Sequence, residues 1–291
     1  MAKRNISQLR KPARSKDVTQ SSDPLLSAFK FETKAQASEE DEKRRKAIKK
    51  VAKWSRADRR GLRKRQMLRL RKSIKKRLTV ASSRYMRKHR MRIINAVCDL
   101  ADRTQGGLIM VNLVSPSLRF AAGTLWEAEA EKILERLRQV LLRYGSASCG
   151  GWMIVFIDGE FEANNKEFVI HFHGIATEDF DAVLDMARRK SRLFRRVGLT
   201  ANTNVKTPIR VIRKLKNLPR LVGYCVMAFW PQRNRAASAE GDKPIDRRRK
   251  RRVDEPHHSE YLLWLDRYRI QHLCLMIGLE VDRHGSLKQT R

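Results

Sequence analysis

Apolar positions along the chain follow two rhythms. At 108–114, 152–162, 167–176 and 209–212 they run almost unbroken between Gly, Ser-Pro or Asn-rich breaks, which is the pattern of buried strands. Elsewhere they recur every three or four residues, the spacing of one helix face. Met91, Ile94, Val97 and Leu100 mark such a face in 84–102. Trp126, Ala130, Ile133, Leu137, Val140, Leu141 and Tyr144 mark one in 124–144, and Phe180, Val183, Leu184 and Ala187 another in 178–190. Thr124 and Thr177 stand at N-cap positions, while Gly106-Gly107 and Gly145 stand at helix ends. Pro219, fit for a first turn, opens a helix carrying Leu221, Tyr224, Cys225, Ala228 and Phe229. A last helix is predicted over 260–279 from Leu262, Leu263, Leu265, Ile270, Leu273, Met276 and Ile277.

The core order is therefore β-α-β-β-α-β-α, an α+β class fold with a split βαβ (βαββαβ) antiparallel sheet and helices on one face. The other face is expected to be open to a metal or nucleic acid. Around this core, 105–231, the sequence predicts a disordered N-terminus over 1–40, a basic helical arm over 41–104, a basic linker over 232–258 and a C-terminal helix and tail over 259–291. Within the N-terminus, Leu25-Leu26-Ser27-Ala28-Phe29 is a short apolar patch with no assigned partner. His257-His258 is read as solvated, and Tyr261 and Tyr268 as lying outside the core.

Charge then narrows the partners. The formal net charge is +34, with 65 Lys and Arg against 31 Asp and Glu. So large a surplus of one sign makes polyanion binding the default expectation. It concentrates in 43–92, where 24 Lys or Arg face the single acid Asp58. Lys64, Arg65, Arg69, Lys72 and Lys76 there are candidate phosphate contacts, joined by Arg220 and by Arg248 and Arg249 within the basic run 247–252. No apolar run is long enough to cross a membrane and no apolar leader opens the chain. The four cysteines show no Cys-x-x-Cys spacing and read as reduced thiols, so a cytoplasmic protein is expected.

The candidate chemistry sits in Phe168-Val169-Ile170-His171-Phe172-His173-Gly174-Ile175-Ala176. Side chains two apart on a strand share a face, so His171 and His173 project side by side, an arrangement suited to a divalent metal. If the hairpin turn is centred on Asn165 and Lys166, Glu160 lies opposite His171 and Asp158 opposite His173. Glu160 is then the expected third ligand, with Asp158 and Glu162 as alternatives should the register shift. Such a set suits Mg²⁺, Mn²⁺ or Zn²⁺ with open coordination positions.

A βαββαβ core, a His-hydrophobic-His strand after a hairpin and a helical tyrosine some fifty residues later together resemble the HUH endonuclease superfamily. That group comprises rolling-circle replication initiators, single-strand transposases and relaxases. The resemblance spans roughly 107–231. Ile109 to Leu113 resembles the first-strand motif, His171 and His173 the metal pair, Glu160 the carboxylate that completes the site, and Tyr224 in Leu221-Val222-Gly223-Tyr224-Cys225 the nucleophile. The resemblance implies nicking and rejoining of single-stranded or hairpin DNA at a replication origin, with Mg²⁺ or Mn²⁺ as cofactor, a 5′-phosphotyrosine intermediate, and a host helicase and polymerase as partners. Where many initiators have a lysine three residues after the tyrosine, this chain has Met227, and Arg220, one turn before Tyr224, is the nearest cation along the helix. Two alternatives stand beside this reading: a catalytically degenerate DNA-binding protein of the same fold, and a basic RNA-binding protein. The strands lack the aromatic pair by which RNA-recognition sheets stack bases.

Overall fold

The computed structural model of the chain describes residues 5–10, 31–59, 61–194, 208–213, 215–227, 229–233 and 251–290. Arg248, Arg249 and the 25–29 patch lie outside the described residues. The fold is α+β. Four strands, β1 (Leu108–Ala121), β2 (Met153–Glu162), β3 (Glu167–Thr177) and β4 (Ile209–Ile212), form an antiparallel sheet in the order β4-β1-β3-β2. This is the split βαβ arrangement, with β3 central between β1 and β2. Its crossover helices, labelled by their rank along the whole chain, are α4 (Ala130–Arg143) and α5 (Asp181–Lys190), which pack against each other.

Strand β1 runs longer than the sequence indicates. Its apolar run pauses at Ser115-Pro116, but pairing resumes at Arg119 opposite Val169 after a bulge that follows Val114. A bulge tolerates a proline inside a strand because its amide is not needed in the ladder. Helix α4 is shorter than expected. A 3-10 turn over Leu125–Glu127 breaks the phase, so Trp126, placed by spacing on the inner face, is 66% exposed instead.

The N-terminal arm is folded onto the core. Helix α1 (Lys34–Val51) packs against both α2 (Lys64–Lys76) and α3 (Ser83–Ala101). Thr33 and Gln36 form a capping box that starts α1 within the stretch expected to be disordered. Asp41 on α1 accepts from Ser82 Oγ and from the Ser83 and Arg84 amides, which caps α3 with a carboxylate. On α2, Met67, Leu70 and Ile74 are buried on one stripe while Lys64, Arg65, Arg69, Lys72 and Lys76 are exposed on the other. Burying each apolar side chain contributes about 1.5–3 kcal/mol, enough to offset like-charge repulsion along the basic face. Further upstream, Ile6 and Leu9 are buried and the Arg10 amide donates to the Gly285 carbonyl.

The C-terminal region completes the sheet and is no single helix. Helix α7 covers His257–Leu265, after which Cys274–Ile277 forms strand β7 along β2, opposite Met153–Phe156. The apolar run 273–277 has strand length and ends at Gly278 (φ +65°), a left-handed turn that a side chain would strain. Leu279–Val281 and Leu287–Gln289, strands β8 and β9, close a small hairpin. The short strand β5 (Pro231–Arg233) runs parallel to the far end of β2, and β6 (Arg251–Arg252) pairs with it. His257, His258, Tyr261 and Tyr268 are accordingly buried, contrary to the sequence expectation. Tyr261 and Trp264 stack around Trp230 beside the stretch of β2 left between β7 and β5. Gly159 belongs to that stretch, and a Cβ there would lie 2.8 Å from the Trp230 ring.

Candidate metal centre

The hairpin places the histidines opposite a carboxylate, in a register two residues away from the expected one. The observed pairs are Asp158 with His171 and Phe156 with His173, so the turn is centred on Asn164 and Asn165. Lys166 takes the left-handed conformation (φ +53°), its amide donates to the Ala163 carbonyl, and four residues close the turn. Because the shift is by an even number, the same face is kept while every opposed pair changes. The ligand set is thereby corrected. Asp158, His171 and His173 each offer one atom within 4.8 Å of the others, and this buried group could hold a metal ion.

Glu160 lies opposite Val169 and is ion-paired with Arg233 on β5. Glu162 is buried and takes Arg119 at 3.1 Å and Asn165 at 3.0 Å. Both other carboxylates of β2 are thus engaged by cations or amides.

The chemistry of the donor set fits a divalent cation. Asp158 Oδ1 accepts from the Gly159 amide at 2.8 Å, leaving Oδ2 directed to the histidines, 3.3 Å from His173 Nε2 and 3.7 Å from His171 Nε2. Asp158 Oδ2 and His173 Nε2 are buried and neither makes a hydrogen bond. Orphaned buried polar atoms are costly, and a shared cation relieves both. Asn112 on β1 stands opposite His173, and its Oδ1 accepts from His173 Nδ1 at 2.5 Å. That bond puts the proton on Nδ1 and the lone pair of Nε2 toward Asp158, the outer support a ligating imidazole needs. Burial holds His171 down to about 4, despite Asp158 pulling the other way, so its ring is neutral and ready to ligate at neutral pH.

Tyr224 is brought to this centre. Helix α6 (Leu218–Cys225) starts where Asn217 Oδ1 accepts from the Arg220 amide, with Pro219 in its first turn. It buries Val222 and Cys225 and lies against β3 and β2, so the face expected to be open is covered by α6, with α3 packed on α6 in turn. The ring of Tyr224 lies 4.7 Å from that of His173, which itself lies 4.7 Å from that of His171. Burial raises the Tyr224 phenol above its ordinary value, as does Asp158, while Arg233 opposes them. Arg233 therefore faces both Glu160 and the phenol's surroundings, a cation that no spacing along α6 could reveal. Arg220 is exposed and lines the mouth of a neighbouring cavity. The five basic residues of α2 lie on their own exposed face of the arm.

Among the described residues no helix is long and apolar enough to cross a membrane. Comparison with models of protein families, with curated proteins and with solved structures finds no match to this chain.

Proposed function

We propose that the chain is a replication initiator-like nickase and ligase of the HUH type, which cuts single-stranded or hairpin DNA and rejoins it through Tyr224. The supporting observation is the meeting of Tyr224 with the Asp158, His171 and His173 group, side chains drawn from three elements, with Tyr224 fifty-one residues beyond His173. Mg²⁺ or Mn²⁺ held by these three residues would supply Lewis-acid polarisation of a scissile phosphate oxygen. Asn112 fixes His173, and burial keeps His171 neutral. Tyr224 Oη forms the bond to phosphorus as the bond from phosphorus to the 3′ oxygen breaks. The phenol gives up one proton and the departing oxygen takes one up, so the step is proton-neutral and yields a 5′-phosphotyrosine and a free 3′-hydroxyl. Reversal rejoins the strand without an external energy source. The basic face of α2 and the exposed Arg220 hold phosphates without reading sequence.

A second reading, a DNA-binding protein of this fold that no longer cuts, is favoured by the raised Tyr224 phenol and by Met227 in the lysine position. Incubation with end-labelled single-stranded DNA pools and Mn²⁺ or Mg²⁺ separates the two. The nickase reading expects a covalent protein adduct on the fragment downstream of the cut, abolished by Tyr224→Phe and by His171→Ala. Binding without any adduct under either metal establishes the second reading.

A further inference from the structure

Beside Tyr224, helices α1, α3 and α6 wall a cavity of about 580 Å³, the size range of small-ligand sites. We propose that this cavity takes one unstacked guanine of the single strand that lies against Tyr224. What brings the strand there rests on the proposed nickase reading; the cavity's own selectivity does not.

The lining carries the argument. Arg90 on α3 is 9% exposed and gives Nη1 to both oxygens of Glu32 and Nη2 to the Gly223 carbonyl. Its Nε is buried with no acceptor among the described residues. A guanidinium N–H left unmet on a side chain that lines a cavity favours a ligand that brings an acceptor. Glu32 supplies carboxylate oxygens on the same lining beyond the lone pairs that Arg90 takes, while Glu40 is held by Arg44 at 2.9 Å and by Arg252. Guanine is the base that presents both an acceptor edge, O6 and N7, and two adjacent donors, N1–H and the N2 amino group. Adenine, cytosine and thymine each offer a single donor group on the corresponding edge. Phe229, 45% exposed at the rim next to Trp230, adds a flat face of the kind on which unstacked bases are held. The segment that leads into and opens α1 thereby gains a role, since it carries Glu32 and Glu40.

The test is fluorescence anisotropy of the full chain with labelled oligothymidylates about fifteen nucleotides long, carrying a central guanine, adenine, cytosine or thymine. It is run in EDTA at roughly 0.3 M salt, where phosphate contacts are weakened. The guanine oligonucleotide is expected to bind about tenfold more tightly than the other three, the discrimination of one well-placed base contact. Glu32→Gln should cut that preference to about twofold or less without changing affinity for the all-thymine strand, whereas Phe229→Ala should weaken all four strands because stacking is indifferent to the base. Phe229 is exposed, so its variant keeps the fold. Equal binding of the four strands, or a guanine preference that survives Glu32→Gln, overturns the proposal. No metal and no cleavage enter the measurement, so an adduct without guanine preference sinks this inference alone, and the reverse result sinks the nickase reading alone.

Discussion

At the residue scale the centre turns on which carboxylate of β2 meets the imidazoles. Asp158 and Glu160 share a face, and only the turn decides between them. Asp158→Asn is expected to abolish the rise in melting temperature on adding Mn²⁺, a rise worth about 2.7 kcal/mol at a hundredfold excess over the dissociation constant. Glu160→Gln should keep most of that rise, because Glu160 holds Arg233 instead. Thermal melts with and without metal check this, and the opposite ranking would return Glu160 to the ligand set. The reason Asp158 could not be chosen from sequence is local. Ala163-Asn164-Asn165-Lys166 contains no Gly to mark the left-handed position, and that position falls on Lys166. His173's support by Asn112 was equally hidden, since it joins strands sixty-one residues apart.

At the scale of elements, α3 carries a buried imidazole that the metal centre does not use. His89 packs on Tyr85 with ring centroids 4.3 Å apart, and its Nδ1 has no hydrogen bond. Burial, with Arg92 and Lys88 adding repulsion, lowers it to about 4 from 6.5. Because the unfolded chain binds that proton first, its contribution is intact above pH 6.5 and drains away as pH falls toward 4. The loss reaches about 2–3 kcal/mol. Urea unfolding at pH 7 and pH 4.5 should show His89→Leu losing less stability on acidification than the parent, and equal losses would contradict a buried neutral His89. The second element-scale expectation concerns β7. A chain cut after residue 256 should lose the cooperative melt of the whole core, because β2 then lacks its partner over Met153–Phe156. An intact melt would mean that the C-terminal segment is an appendage, as its helical spacing implied. The βαββαβ order, the hairpin and the His pair were legible because each is a local pattern. The covering of the histidine face by α6 and the conversion of 274–277 into a strand were not, since both depend on contacts between distant segments.

At the scale of the whole molecule, charge and fold divide the work. The net charge of +34 is carried largely by the arm, whose α2 buries one stripe against its neighbours and turns the other outward. Replacing Arg65, Arg69, Lys72 and Lys76 together by Gln should lower the slope of log affinity against log salt by about 3 for single strands. Melting temperature should hardly move, since all four are exposed. A slope unchanged within about 0.5 would place the phosphate contacts elsewhere.

The pairing of β2 with β7 also sets a clock. Strand β2 receives β3 at once, across the hairpin, but β7, its partner over Met153–Phe156, only after roughly a hundred more residues have been joined. At typical rates of synthesis that is a delay of about 5–20 seconds. Until then the ribosome holds a chain whose basic arm is already made while Met153–Phe156 still lies on an open edge. The basic arm is thus made well before the sheet that carries the candidate metal centre is complete.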